Sequence, residues 1–290
     1  MPNSIQLAKV YTNLLDEVYK NSALTAVLES DASLARQGAN ANEIVIPKLS
    51  MDGLADYSRN SGYVDGNVTL SWETVQFNYE RGRMFSVDNM DNEETQNIAF
   101  GRLAGEFLRT KVVPELDAFR FAKYAAVTGA GVATGALATG ADVIAALRTA
   151  TSAMDEAEVP MEDRHLFITP TLLGLVEDMD TTKSKEVLAR FASITKVPQT
   201  RFYSAVELLD GKTGGEEAGG YKKADSAVDL NFEIIHKPAT LQFTKHAVPK
   251  IISPEQNQQA DAWKYGYRNY GLCDTYENKA AGIYVHKKGA

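Results

Sequence analysis

The stretch Glu80-Arg81-Gly82-Arg83-Met84-Phe85-Ser86-Val87-Asp88-Asn89-Met90-Asp91-Asn92-Glu93-Glu94-Thr95 changes its apolar period partway along. Before Asp88, Phe85 and Val87 alternate as in a strand. After it, Phe100, Leu103, Phe107, Leu108, Val112, Leu116 and Phe119 recur at helical spacing. Asp91 followed by Glu94 has the spacing of a capping box, which predicts a helix from about Asn92 to about Ala126. Pro114 removes a backbone donor inside it and predicts a bend or a junction between two helices there. Such a helix is far longer than the mean of ~11 to 12 residues and reads as a strut.

Upstream the pattern is β. Ile44 and Ile46 alternate before Pro47, Val68, Leu70 and Trp72 alternate on one strand, and Val75, Phe77 and Tyr79 continue after a one-residue slip. Turn residues fill the interval from Asp52 to Tyr63, so residues 43 to 87 read as a long hairpin-like excursion. A two-stranded ribbon has too little core to stand alone and wants a partner surface. The N-terminal segment, with Leu7, Val10, Leu14, Val18, Leu24 and Leu28 at mostly helical spacing, can bury its weak stripe only against another body. It breaks at Gln37-Gly38-Ala39-Asn40.

Downstream, the low-complexity run from Thr128 to Gly140 marks a domain boundary. An amphipathic helix (Val143, Ile144, Leu147, Met154) follows and must end before Pro160. A strand from His165 to Thr169 leads to a second helix with Thr169 as cap and Pro170 in its first turn. This alternation predicts a mixed α/β unit. Gly211 to Gly220 reads as an exposed tip, after which Phe232, Ile234, Leu241, Phe243, Trp263, Tyr265, Tyr267, Ile283 and Val285 restore the β pattern. The chain thus leaves one body near 130 and re-enters it near 230, as an inserted domain does.

The 290 residues are 44% hydrophobic and 23% charged, an ordinary globular composition. With 38 acidic against 30 basic residues the net charge is -8, which argues against a surface that clamps nucleic acid all round. The charge is uneven: residues 131 to 230 hold 10 basic and 16 acidic groups, residues 231 to 290 hold 8 and 5. A single cysteine, Cys273, excludes an intramolecular disulfide and a multi-cysteine zinc site. No apolar run reaches the roughly 18 to 20 residues that span a bilayer. Met1-Pro2-Asn3-Ser4-Ile5 lacks the character of a secretion signal, so the expectation is a cytoplasmic chain with no membrane contact.

Catalytic signals are weak. Gly211-Lys212-Thr213 has Val206 where a phosphate loop needs glycine, and Gly129 with Gly131 lacks the third glycine of a dinucleotide fingerprint. His165, His236, His246 and His286 show no metal-ligand spacing. No Gly-x-Ser-x-Gly elbow is present, and Cys273 lies in an aromatic strand region that suits a buried thiol. The acids between Asp88 and Glu94 are explained by helix capping. No catalytic residue, cofactor site or metal site is nominated, and a soluble α/β enzyme ranks lowest among the readings.

Gly62-Tyr63 with the Trp72 strand, then Glu80 to Arg83 and Phe85 to Thr95, resemble the extended loop entering the spine helix of tailed-bacteriophage major capsid proteins, the Hong Kong ninety-seven type fold. Arg109 to Asp117 with Arg120-Phe121 resembles the spine. Asp261 to Lys264 and Gly282 to Lys287 resemble the C-terminal strands. The resemblance covers nearly the whole chain. It implies an α+β fold with an N-arm at 1 to 42, an E-loop at 43 to 87, a peripheral (P) domain at 88 to 130 and 231 to 290, and an axial (A) domain at 131 to 230. It further implies a non-enzymatic shell protein that assembles with itself as hexamers and pentamers around non-specifically packaged double-stranded DNA. The place of assembly would be the bacterial cytoplasm and the final place the virion. A portal protein is an expected partner, and a separate scaffolding or decoration protein a further one. An encapsulin-like nanocompartment shares the fold and is the runner-up.

Within that frame Trp72, Phe77, Tyr79, Arg81 and Arg83 are the candidates for contact between subunits. Pro114, Gly129, Gly131, Gly135 and Gly140 are candidate hinges, and Lys237, Lys245 and Lys250 candidates for an inner face near DNA. Some family members join an E-loop lysine to a neighbour's asparagine, but Leu49 to Tyr79 contains no lysine and Lys48 sits at its base. A shell held without that cross-link is expected.

Overall fold

Alternating apolar residues around Pro47 and Trp72 build a projecting ribbon in the computed structural model, which describes residues 23–30, 36–37, 43–94 and 98–289. The apolar positions Leu7 to Val18 lie outside the described residues. A two-residue strand β1 (Arg36–Gln37) pairs with β2 (Glu43–Met51), and β2 pairs antiparallel with β3 (Val68–Gln76) from Glu43↔Gln76 to Met51↔Val68. At roughly 3.4 Å per residue this ribbon is about 30 Å long. Its tip is closed by Asp52, whose N–H donates to Asn67 O and whose carboxylate accepts from Asn67 N at 2.8 Å.

The expected excursion of 43 to 87 divides at Asn78. β4 (Tyr79–Asp88) leaves the ribbon and pairs with β12 (Ala262–Thr275), which pairs on its other edge with β11 (Thr240–Ile252). The Asn78 amide fastens the divide, donating to Cys273 O at 2.7 Å and accepting from Cys273 N at 3.1 Å. Ile44 and Ile46 at the ribbon's root bury against Leu241, Phe243 and Leu272.

The strand-to-helix change falls at Asp88, whose carboxylate accepts from Met90 N at 2.9 Å. Asp88, and not Asp91, is therefore the capping acid, and Asp91 lies in the first turn of α1 (Asn89–Glu94). The strut continues as α2 (Ile98–Phe107), a π turn (Leu108–Val112) and α3 (Val113–Ala125). Pro114 stands in the first turn of α3, and the helix accommodates it with the widened turn just before it, where a missing N–H donor is tolerated. Phe107 covers the three-stranded sheet, its ring 4.8 Å from Phe85 and 6.5 Å from Tyr265.

The α/β body is a five-stranded mixed sheet. β5 (Gly131–Gly135) lies parallel to β13 (Ile283–Lys288), β10 (Leu230–His236) lies antiparallel to β13 and to β6 (Arg164–Ile168), and β7 (Ser193–Lys196) lies parallel to β6. A small hairpin, β8 (Val206–Leu209) with β9 (Gly220–Lys223), stands beside it. On one face pack α4 (Gly140–Glu156), α5 (Pro170–Glu177) and α6 (Thr182–Leu188), burying Val143, Leu147, Met154, Leu173 and Val176 against Phe232 and Ile234. On the other face lies α3, with Phe121 at 5.2 Å from Phe167 and 5.1 Å from Phe202. The central strands β10 and β13 come from the returning chain, so this sheet crosses the boundary drawn from sequence at 231. The low-complexity run is in part a paired edge strand.

One buried carboxylate joins three parts of the chain. Asp117 of α3 accepts from Leu24 N and Thr25 N, from the Thr25 hydroxyl at 2.8 Å and from Arg201 Nη1 at 3.0 Å. Both Asp117 and Arg201 are buried. Gln242 of β11 donates to Thr25 O and accepts from the Tyr124 hydroxyl. Removing one partner of a buried ion pair leaves the other charge uncompensated, at a cost of about 3–5 kcal/mol. Asp117→Ala should lower the unfolding free energy by about that amount in urea titration, and a loss under ~0.5 kcal/mol, the usual range for surface changes, would deny the pin its role.

Candidate functional site

Antiparallel pairing sorts the ribbon's side chains onto two faces. Leu49 faces Leu70 and Met51 faces Val68, with Trp72 two residues along the same side of β3. Half or more of each of these five side chains is exposed. The opposite face carries Lys48, Ser50, Thr69 and Ser71 beyond the buried Ile44 and Ile46. The projecting half of the ribbon is therefore amphipathic, apolar on one side, and its tip adds Leu54, fully exposed, and Tyr57 with its ring 4.9 Å from Tyr63. Exposed apolar surface concentrated on one projecting element marks an interaction site.

The five contact candidates separate in space. Trp72 is on the apolar face of the ribbon. Phe77 is at the root, stacked 4.8 Å from Tyr270 with the Lys245 ammonium 5.0 Å from its ring. Tyr79 is buried in the chain's own core, against Phe119 at 4.9 Å, and its hydroxyl donates to Glu115 at 3.2 Å. Arg81 also holds Glu115, at 2.7 Å, and donates to Leu209 O and Gly220 O across the mouth of the small hairpin. Arg83 donates to Ala218 O and Glu217 O, each at 2.9 Å. Tyr79 and Arg81 thus tie β4 to α3 through Glu115, and Arg81 and Arg83 hold the small hairpin and its Gly211 to Gly220 loop from within the chain. In the sequence the alternation of Val68, Leu70 and Trp72 carries the signal for this face, and the cross-strand register that adds Leu49 and Met51 appears only in the fold.

The glycine candidates differ in kind. Gly129 has φ of +89°, a left-handed conformation that favours glycine. A Cβ on Gly131 would meet the Tyr284 ring at 2.4 Å, and one on Gly140 would meet Leu175 O at 2.3 Å, so both positions require close packing. Gly135 ends the strand paired on β13, its carbonyl accepting from Asn231. Lys245 and Lys250 are on the exposed length of β11, with Arg268 and Lys264 on the adjacent strand. Lys237 lies in the short turn just before β11, at the opposite end of that strand from Lys250.

His165 Nδ1 lies 2.7 Å from Ser193 Oγ, a pairing of the kind a base and a nucleophile make. These residues are direct neighbours on paired strands, and burial holds the His165 imidazole below its ordinary value. Burial pushes the Cys273 thiol up to about 12, so it is not an available thiolate near neutrality. Among the described residues no group of three or more His, Cys, Asp or Glu could hold a metal ion, and no helix is long and apolar enough to cross a membrane.

The architecture of strut helix, projecting ribbon and mixed sheet is that of phage capsid proteins. The asymmetric unit of the bacteriophage PhiM1 mature capsid matches 97% of this chain and 91% of its own, with a TM-score of 0.65 at 10% identity. The capsid structure of the cyanophage P-SCSP1u matches 97% and 92%, with a TM-score of 0.64 at 12% identity. A virus-like particle from Pyrococcus furiosus matches 91% and 97%, with a TM-score of 0.53 at 11% identity. No protein-family model and no curated protein matches the sequence.

Arg81 holds the hairpin in a way that can be measured. Arg81→Ala removes the Glu115 contact and two carbonyl contacts together, where charged hydrogen bonds contribute roughly 1.5–3 kcal/mol each. Hydrogen exchange at residues 206 to 223 should quicken at least about tenfold, with α4 unchanged. Equal exchange in the variant and the parent chain would show that Arg81 does not hold the hairpin.

Proposed function

We propose that this chain is a major capsid protein that assembles with itself, through hexamers and pentamers, into the icosahedral head shell of a tailed bacteriophage. The observation that carries the reading is the apolar face of the ribbon, projecting from a fold whose likeness to phage capsid structures spans almost the entire chain. A side chain such as Leu70, half exposed in the single subunit, is buried when a ribbon lies across a neighbour. Many modest contacts of this kind combine by avidity in a closed shell, so each can remain reversible during assembly.

The protein's work in this reading is mechanical, and no catalytic step is assigned to it. Double-stranded DNA would fill the shell, with Lys245 and Lys250 and the more distant Lys237 as candidates for the surface that meets its phosphates. Pro114 with the π turn before it, and the stretch from Gly129 to Gly140, are the candidate places for the difference between pentamer and hexamer shapes. A portal protein and a separate scaffolding or decoration protein are the further partners, and the virion, assembled in the bacterial cytoplasm, is the location. The runner-up is an encapsulin-like compartment, favoured by the likeness to the Pyrococcus furiosus virus-like particle.

Electron microscopy of the purified protein tests the reading: closed polyhedral shells are expected, and a population of small monomers alone would overturn it. Leu70→Lys should abolish shells while leaving subunit stability within about 0.5 kcal/mol, because the position is exposed. Shells formed at the parental rate would remove the ribbon from the interface. On denaturing gels of intact particles a single band of 31.7 kDa is expected, since Lys48 is engaged with Glu277 at 2.9 Å and no lysine follows it on the ribbon. A ladder of linked oligomers would refute this.

A further inference from the structure

Glu233 occupies the middle of the central strand β10 and is fully buried. Its direct neighbours are Phe167 on β6 and Val285 on β13, both in the apolar cluster beneath α3 with Phe121 and Tyr124. Directly opposed residues on paired strands point to the same face, so the Glu233 carboxyl enters the joint between the spine helix and the sheet. Among the described residues neither carboxylate oxygen has a hydrogen-bond partner. An ionised carboxylate in such a place would lack both solvation and a bonded cation, a state that proteins avoid by keeping the proton.

We propose that Glu233 is a proton site built into the joint between α3 and the sheet, occupied in the closed subunit, and that losing its proton loosens the helix from the sheet. On β6 the titratable group on its face is His165, two residues from Phe167, its imidazole held below the ordinary value by burial. On β13, Lys287 is the cation that acts on it, and on α3 the Tyr124 hydroxyl, which donates to Gln242, is near enough for a charge on Glu233 to act on it. Arg120, one turn earlier on α3, acts on Tyr124 and on the Cys273 thiol of β12, and is itself bonded to Thr25 at 3.0 Å. Arg201, from the segment before β8, is committed to Asp117. Burial therefore outweighs Lys287 and holds the carboxyl well above its ordinary 4.5.

The direction follows from linkage. The folded state keeps the proton where the unfolded state has released it, so stability is fullest below the unfolded value. It falls as pH rises from there toward the folded value. Across that window the unfolding constant rises by up to about tenfold per pH unit from this one group. Infrared spectra of the full chain in D2O at pH 7 should show a protonated carboxyl band, absent in Glu233→Gln. Urea unfolding at pH 5 and pH 8 should give a steeper loss of stability in the parent chain than in Glu233→Gln or Glu233→Leu. Exchange at Phe121 to Ala125, corrected for the intrinsic rate, should rise with pH in the parent alone. Absence of the band in the parent chain at pH 7 overturns the proposal even if neither variant folds. So does an equal pH slope in the parent and a folded variant.

Discussion

The Asp117 carboxylate, fully out of water, joins three separate parts of the chain at one point. Its acceptor sites take two backbone N–H groups and a hydroxyl from residues 24–25 and a guanidinium N–H from Arg201. Hydrophobic contact is indifferent to small sliding, whereas four directed bonds to one carboxylate fix position to a few tenths of an ångström. The spine helix is thereby placed against the α/β body through Arg201 and against the N-terminal segment through Thr25. The network continues: Arg120 reaches Thr25 and Thr244, Gln242 reaches Thr25 and Tyr124, and Thr240 accepts Ser30 at its carbonyl. The root of the ribbon is anchored on the strand that carries these groups.

That anchoring explains why the ribbon can be long. Its outer length has no core, and a free two-stranded hairpin is marginal in water. Here the strands are clamped at one end by Ile44, Ile46, Phe77 and the Asn78 amide, so register is set at the root and carried outward by the ladder. Register decides function in this element. A slip of β3 by one residue against β2 would move Val68, Leu70 and Trp72 to the side that carries Lys48 and Ser50, and bring Ser71 and Thr69 opposite Leu49 and Met51.

Local signals gave the sequence most of its legible content. Alternation at Val68, Leu70 and Trp72, helical spacing from Phe100 onward, and Thr169-Pro170 at a helix start each involve residues a few positions apart, and each element exists as expected. What stayed hidden depends on distant pairings. Nothing in the text near Tyr79 shows that its strand leaves the ribbon, because the cause is Tyr79↔Gly271 across the molecule. Arg81 and Arg83 read as exposed charges for a neighbour, and only the fold brings the carbonyls of Glu217, Ala218 and Gly220 to them. The Gly-rich run after Thr128 reads as a linker because its composition says nothing of β13, with which Gly131 to Gly135 pairs from the far end of the chain.

The division of labour between the two kinds of surface is itself an argument about assembly. Charged and hydrogen-bonded contacts, which demand geometry, are spent inside the subunit at Asp117, at Glu115 and at the hairpin braced by Arg81 and Arg83. The outward ribbon presents mainly apolar side chains on one face, whose attraction is non-directional and scales with area. A shell whose subunits occupy slightly different surroundings needs that combination. Directional contacts across every interface would be satisfied in one environment and broken in another, leaving unpaired polar groups. Apolar contact tolerates a change of angle as long as area is kept. In the proposed shell a rigid root and a forgiving face would together let one sequence serve several non-identical positions.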